Sequence, residues 1–183
     1  MRNKKNKEFS QSDVIKQRIA RIDSRRGYFA LIYRLLVITL IVYLLFSQVF
    51  MIMRVRGNEM FPAIKDGDLL IAFRLQQEYL KNDIVIYSVN GENRFGRIIA
   101  KENDVVNITG EGVLIVNGTT QSGEIMYPTY PGDLLSYPYR VPEGHVFILG
   151  DYRTQTEDSR QIGTIPLEDL KAKVITFLRR RGL

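Results

Sequence analysis

The sequence predicts a mainly β fold, in which an antiparallel β domain is preceded by one transmembrane helix. Three observations predict it. Residues 35–53, LLVITLIVYLLFSQVFMIM, form a run without any charged residue. Behind this run, short β-branched and aromatic stretches alternate with Gly, Pro, Asn and Asp, as is typical of short strands joined by turns. Signals for helices are few there. We therefore divide the chain into residues 1–34, residues 35–53 and residues 54–183.

Residues 1–34 form a basic tail, with ten Lys or Arg against three Asp or Glu and a net charge of +7. Within it, residues 13–26 carry Val14, Ile15, Ile19 and Ile22 at helix-like spacing among five cations. One interpretation is a basic amphipathic helix that lies on anionic lipid. The alternative is a partly disordered tail that sets topology. The composition of residues 1–10 predicts disorder.

The apolar run of residues 35–53 would reach about 28 Å as a helix, which is close to the hydrocarbon thickness of a bilayer. A cleaved secretory signal peptide is the competing interpretation. The run is too long and starts too late for one, and no small-x-small cleavage pattern follows it. Because ten cations precede the run, we expect its N-terminal end to stay in the cytoplasm and residues 54–183 to lie outside the cell.

The outer region carries seven candidate strands. Val113–Val116 followed by Asn117-Gly118 is a strong hairpin signal, since Asn-Gly suits the positive φ angles of a type I′ turn. Glu124–Pro142 holds four prolines and four tyrosines and predicts a long ordered loop packed by its aromatic rings. Pro166–Leu170 could form one helical turn. The candidate strands are Leu69–Phe73, Ile84–Val89, Gly96–Ala100, Val105–Thr109, Val113–Val116, His145–Leu149 and Lys173–Phe177.

Composition excludes several chemistries. The chain has no cysteine, so it can form neither a disulfide nor a thiolate site. Its one histidine, His145, stands in a turn that enters a strand, and no Cys/His cluster exists for zinc or for a Ser-His-Asp triad. We expect no metal and no other cofactor. Since the positive charge lies in the tail, we also expect no nucleic-acid partner.

Five blocks of sequence follow one another in the outer region. They are Gly57-Asn58-Glu59-Met60-Phe61-Pro62, Lys65-Asp66-Gly67-Asp68, Asn82-Asp83-Ile84-Val85-Ile86, Phe95-Gly96-Arg97-Ile98-Ile99, and Leu149-Gly150-Asp151-Tyr152-Arg153 continuing to Gly163. Their order and spacing, directly after a membrane span, resemble those of the type I signal peptidase family (S26-like). The resemblance covers the span and nearly all of the outer region.

The resemblance implies a degenerate active site. The family uses a Ser/Lys dyad, in which a desolvated lysine takes the proton of the serine. The serine position is Glu59 here, and the lysine position is Gly96, so no catalytic dyad is intact. Thr156 stands where the family has a serine that orients the lysine. Gly96 also removes a long side chain, and we expect the space to admit a partner residue, water or Glu59.

No other residue replaces the dyad convincingly. An attack by the Glu59 carboxylate on an amide would form an anhydride that collapses backwards. Lys101 lies five residues beyond Gly96, about 16 Å away in an extended strand and on its other face. Arg97 stays protonated. A water-activating pair of Glu59 and Asp158 is the remaining alternative, and it requires one carboxyl with a raised pKa.

The resemblance also implies a supporting cluster of Arg97, Thr156, Asp158 and Arg160, in which Asp158 pairs with Arg97 and holds the last block against the sheet. In the family, the substrate lies in a groove as an extended strand. Here that groove would run along Gly57, Asn58, Met60, Phe61 and Pro62.

The paired loss is similar to that in the catalytically degenerate signal-peptidase-like pilus assembly proteins of Gram-positive bacteria. This similarity implies a single-pass cell-membrane protein that assists the assembly of sortase-linked pili by binding pilin precursors. The partners would be pilin precursors, the pilus sortase and the lipid bilayer, and self-association is left open. Two alternatives are an active signal peptidase with an atypical site, and an inert membrane scaffold whose contacts lie in the Tyr-rich loop, residues 124–142.

Overall fold

The computed structural model describes residues 11–121, 126–154 and 157–179. The expectations for residues 1–10 and for Thr156 fall outside the described residues. The chain divides into two compact units, Met1–Phe46 and Ser47–Leu183.

The first long element is a helix, α1, which runs over Gln11–Val49. Its part Gly27–Val49 is long and apolar enough to cross a membrane. The backbone of residues 13–26 is helical, in agreement with the helical interpretation of the basic tail. The proposal that this stretch lies on lipid stays a prediction.

The outer end of the apolar run belongs to a strand and not to the helix. Strand β1, Phe50–Arg54, pairs antiparallel with β2, Leu69–Phe73, in the register Phe50↔Phe73 to Arg54↔Leu69. The helix end expected at Met53 is therefore four residues too late. Apolar composition alone cannot separate the end of a span from a buried strand, whereas the available partner β2 decides it.

The larger sheet contains these two strands and five more. The others are β3, Ile84–Val89; β4, Glu92–Lys101; β9, His145–Leu149; β10, Ile165–Pro166; and β11, Leu170–Leu178. Their order in the sheet is β1-β2-β11-β3-β4-β9-β10. The pairings are antiparallel, which confirms the predicted fold class. The alternating burial of Leu70 and Ala72 in β2 shows how one face of the strand enters the core.

A smaller sheet has four strands. It comprises β5, Val105–Ile108; β6, Leu114–Val116; β7, Thr119–Thr120; and β8, Tyr139–Arg140, in the order β7-β6-β5-β8. The predicted hairpin turn is confirmed, since Asn117 and Gly118 have φ angles of 51° and 78°. The Asn117 side-chain oxygen accepts a hydrogen bond from the Val105 N–H at 2.8 Å and fixes this turn to β5.

Two short helical turns complete the described chain. Helix α2, Ser159–Ile162, was not predicted, and a 3₁₀ turn, Leu167–Asp169, lies inside the predicted Pro166–Leu170 turn. Within the predicted loop Glu124–Pro142, Tyr137 and Tyr139 pack against a core cluster that includes Phe147, as the aromatic content indicated. The loop also contributes β8 to the smaller sheet.

Candidate functional site

The Gly57–Pro62 block forms a turn directly after β1. Gly57 has a φ of +89° and donates its N–H to the Asp66 carboxylate at 2.9 Å. Met60 is fully buried and packs with Val55 and Ile64 in a core cluster. Because Met60 points inward, it anchors the turn, while the neighbouring Glu59 remains partly exposed.

Glu59 lines a cleft of about 720 Å³ between β1 and the beginning of β4. Of the six residues in the Gly57–Pro62 block, Glu59 alone lines this cleft. Met60 is a core residue, so its predicted place in the peptide groove is wrong. Gly57, Asn58, Phe61 and Pro62 do not line this cleft, and the groove along them stays a prediction. The described lining residues are Ile52, Met53, Arg54, Arg56, Glu59, Glu92, Asn93, Arg94, Phe95 and Glu157.

The Glu59 carboxyl lies among charges of both signs. Its partial burial raises its pKa above the usual range, and the negative charges of Glu157 and Asp158 raise it further, while Arg94 opposes the shift. Arg94 acts on Glu59 through its charge, and its guanidinium also forms an ion pair with the Glu157 carboxylate at 3.1 Å. A carboxyl with a raised pKa is what the water-activating alternative requires, and here desolvation is its main cause.

The space next to Gly96 is filled. A Cβ atom on Gly96 would lie 2.5 Å from Cγ2 of Ile148, 3.2 Å from the carbonyl oxygen of Leu149 and 3.6 Å from the ring of Tyr87. Ile148 is fully buried and Tyr87 nearly so. The expectation that Gly96 opens a space is therefore wrong. The neighbouring strand β9 has packed onto the glycine, so a longer side chain at position 96 requires Ile148 to move.

Tyr87 connects the Gly96 position to the charges of the cleft. Burial raises the pKa of its hydroxyl far above the usual range, and the negative charges of Asp158 and Glu59 act in the same direction. The hydroxyl therefore stays protonated and cannot serve as a base at neutral pH. Neither Gly96 nor Tyr87, which packs beside it, supplies the proton acceptor that a serine-type mechanism needs.

The supporting charges form two ion pairs that differ from the expected one. Arg160 Nε and Nη2 donate to the two carboxylate oxygens of Asp158, both at 2.8 Å, and both side chains are buried. Arg97 makes the corresponding two-point contact with Asp151, at 2.8 and 2.7 Å. The expected pairing of Asp158 with Arg97 is thus corrected, because two basic and two acidic residues lie close together and their sequence spacing does not decide which pair forms.

Asp158 has a second role as the N-cap of α2. Its carboxylate accepts a hydrogen bond from the Arg160 N–H, and the Gln161 side-chain oxygen accepts one from the Asp158 N–H, which forms a capping box. It also accepts the Gly150 N–H at 3.2 Å. The Asp158 carboxylate therefore connects the start of α2 to Gly150, directly after β9, and this contact stabilises the fold.

Several residues that shape the site were not singled out from the sequence, namely Ile148, Arg94, Asp151, Tyr87 and Glu157. Arg94 could have been found, because it lies two residues before Gly96 on the same face of the strand. Asp151 stands inside the last block and could also have been a candidate. The sequence carries no signal for the contact of Ile148 with Gly96, which depends on the register between β4 and β9.

Among the described residues, the cleft combines a strand edge with charged side chains. A cleft bordered by the edge strand β1 carries a carboxyl at the expected serine position, and the expected lysine position is a buried glycine. Ser159, a nearby hydroxyl, is fully buried and accepts the Ile148 N–H at 2.9 Å. In the described part of the chain, no group of three or more His, Asp or Glu side chains is placed to hold a metal ion.

Comparison with known proteins agrees with this scaffold. Residues 28–178 match the family model described as signal peptidase, peptidase S26. The chain belongs to this family.

Individual proteins of known function or structure share about a quarter to a third of their residues with this chain over the matched regions. The chain is 32% identical to a probable thylakoidal processing peptidase 2 of Arabidopsis thaliana over 62% of this chain and 34% of that protein. It is 27% identical to signal peptidase I of Bacillus caldolyticus over 66% of this chain and 74% of that protein. A crystal structure of a signal peptidase I from Enterococcus faecalis, 24% identical, has a TM-score of 0.46 and covers 55% of this chain and 98% of that chain. The chain spans about a third of the length of the first of these relatives.

Proposed function

We propose that this protein is a membrane-anchored, non-catalytic signal-peptidase homologue that assists the assembly of sortase-linked pili by binding pilin precursors. The observation that supports the proposal is the packing of Ile148 onto Gly96, at the position where the sequence resemblance predicts the lysine of the dyad. The same resemblance predicts the serine position at Glu59. Because Ile148 occupies the space beside Gly96, a lysine at position 96 could be accommodated only if Ile148 moved.

The cleft supports binding of an extended peptide. Strand β1 pairs with β2 on one side and stands at the end of the described sheet order, so its other edge is available for β-augmentation. Ile52, Met53 and Phe95 give the cleft apolar contacts, while Arg94 and the glutamates supply polar ones. A peptide could thus be held along the cleft without a nucleophile to cut it.

The apolar helix Gly27–Val49 would anchor the protein in the cell membrane as a single span. The ten cations of residues 1–34 favour a cytoplasmic N-terminus. Residues 54–183 would then lie outside the cell, where pilins would be joined. Contact with the pilus sortase and self-association are further proposals of the same kind.

Site-directed crosslinking tests peptide binding directly. The chain has no native cysteine, so one introduced cysteine is unique. Asn93→Cys lies in the cleft, and Thr119→Cys, exposed on the smaller sheet, is the matched control. With a photoreactive maleimide on the full chain in membranes, we expect pilin precursors to be captured from Asn93→Cys and not from Thr119→Cys. Equal capture from both positions, or none from either, would contradict the proposal.

The second candidate function is an active peptidase, and two observations favour it. The relatives described above are named peptidases, and the raised pKa of Glu59 near Asp158 is the condition for a water-activating carboxylate pair. Its test is cleavage of a signal-peptide substrate by the detergent-solubilised full chain. Cleavage that disappears in Glu59→Ala would establish it; a rate equal to the buffer blank would exclude it. For comparison, removing the serine or its base from a serine protease costs about a millionfold in turnover.

The third candidate, an inert membrane scaffold, places the contacts in the loop of residues 124–142. The described part of this loop exposes Met126, Tyr130 and Leu134. Pilus defects from alanine changes in the loop, together with none from changes in the cleft, would favour it.

A further inference from the structure

A second cleft, outside the signal-peptidase blocks at Glu59 and Gly96, lies at a different place in the fold. It has a volume of about 330 Å³ and is formed by the segment after β2, the end of β4, the beginning of β9 and the 3₁₀ turn. Nothing in the proposed peptide-binding function uses it.

The walls of this cleft carry basic and acidic groups in equal number. The basic side chains are Arg74, Lys101 and His145, and the acidic ones are Glu78, Glu102 and Glu168. Glu102 accepts the Gly144 N–H at 2.9 Å. Within the described residues, Lys101, Glu78 and Glu168 make no ion pair with one another or with other side chains. A cleft with unpaired positive and unpaired negative side chains suits a ligand that carries a positive and a negative group close together. It suits a simple anion or cation less well.

The position of Arg74 places the cleft beside the end of α1. The Arg74 N–H donates to the carbonyl of Val49, the last residue of the helix, at 2.8 Å. Its guanidinium also reaches the Ser47 carbonyl, at 3.4 Å. If α1 spans the membrane as proposed, this wall of the cleft lies at the level of the lipid headgroups.

Exposed leucines bracket the same wall. Leu75 is 59% exposed and Leu80 is 54% exposed, on either side of the lining residues Gln76–Tyr79. Large apolar side chains at both ends of a polar segment are suited to the boundary between headgroups and acyl chains, because each part then meets the medium it prefers.

We propose that this cleft binds the headgroup of a membrane phospholipid that carries a phosphate and a primary ammonium group. Lys101 and Arg74 would contact the phosphate, and Glu78 and Glu168 would accept hydrogen bonds from the ammonium. The leucines would contact the acyl chains. The proposal rests on the membrane anchoring inferred above and is independent of pilin binding.

The test uses the full chain in lipid nanodiscs, with native mass spectrometry of the protein released from them to count retained lipids. Three discs are compared, containing phosphatidylethanolamine, phosphatidylcholine or phosphatidylglycerol as the minor lipid. We expect selective retention of phosphatidylethanolamine, since phosphatidylcholine lacks N–H donors and phosphatidylglycerol lacks a cation. Lys101→Gln should weaken retention about tenfold, as expected for loss of a hydrogen bond to a charged group.

Lys65→Gln is the charge-matched control, because Lys65 is exposed in a turn outside this cleft. It should retain the lipid like the unchanged chain. Equal loss in Lys65→Gln and Lys101→Gln, or equal retention of phosphatidylglycerol, would overturn the proposal. Binding of free phosphoethanolamine as tight as that of the lipid would assign the cleft to a soluble ligand instead. Failure to enter nanodiscs would overturn the membrane anchoring as well, whereas entry without lipid retention would overturn the headgroup site alone.

Discussion

The contact between Gly96 and Ile148 makes a quantitative prediction about stability. In Gly96→Ala the new Cβ would lie 2.5 Å from Ile148 Cγ2, about 1 Å inside the usual carbon–carbon contact distance. The Leu149 carbonyl oxygen and the Tyr87 ring lie on the other sides of this Cβ. The collision is therefore relieved only if the fully buried, β-branched Ile148 side chain moves. Overpacking of this kind costs about 1–3 kcal/mol. For a unit the size of Ser47–Leu183 we expect a fall in Tm of about 3–10 °C.

The matched control is Gly110→Ala. No heavy atom lies within 4 Å of a Cβ at Gly110. Gly110→Ala therefore lowers the conformational entropy of the unfolded chain as Gly96→Ala does, but it introduces no collision. Both variants are measured by thermal unfolding of the full chain in one detergent. We expect Gly110→Ala to stay within about 0.5 kcal/mol of the unchanged chain.

A double-mutant cycle isolates the contact. Ile148→Ala alone should cost about 2–5 kcal/mol through a buried cavity. In that background Gly96→Ala should cost much less, because the colliding methyl group is gone and only the 3.2 Å contact with the Leu149 carbonyl oxygen remains. The expected coupling energy is about 1–3 kcal/mol. If Gly96→Ala destabilises the unchanged chain and the Ile148→Ala variant equally, or destabilises neither, the conclusion that Ile148 fills the space beside Gly96 is wrong.

Two further predictions concern the charged residues. Asp158→Ala should lower stability by about 3–5 kcal/mol, because it strands the buried Arg160 and removes the N-cap of α2. Glu157→Ala, which breaks an exposed pair with Arg94, should cost about 0–1 kcal/mol in the same unfolding assay, and equal losses would contradict the assignment of Asp158. Glu59 has a raised pKa in the folded chain, so its protonated form favours folding at low pH and this contribution is lost as the pH rises through the folded pKa. Glu59→Gln should therefore have a higher Tm than the unchanged chain at about pH 7 and the same Tm at about pH 3, and a gap that is independent of pH would refute the desolvation of Glu59.

Much of the fold follows from local patterns in the sequence. The strands at Leu69–Phe73, Ile84–Val89 and His145–Leu149 have the predicted boundaries, because strong β propensity and turn residues at both ends act locally. The Asn117-Gly118 hairpin is of the same kind, since its positive φ angles are set by residue type. Strand β1 was missed because its apolar residues continue those of the helix, and only pairing with β2 separates them.

The sequence by itself determined membership of the signal peptidase family, and the resemblance of its ordered blocks predicts Glu59 and Gly96 at the dyad positions. Both depend on residue types and their order along the chain. Tertiary structure decided what surrounds them. The inward Met60 leaves Glu59 as the single residue of its block in the cleft, and the β4–β9 register presses Ile148 onto Gly96. The pairing of Arg97 with Asp151 also depends on the tertiary structure. Contacts between residues far apart in the chain are set by packing geometry, which no local sequence pattern encodes.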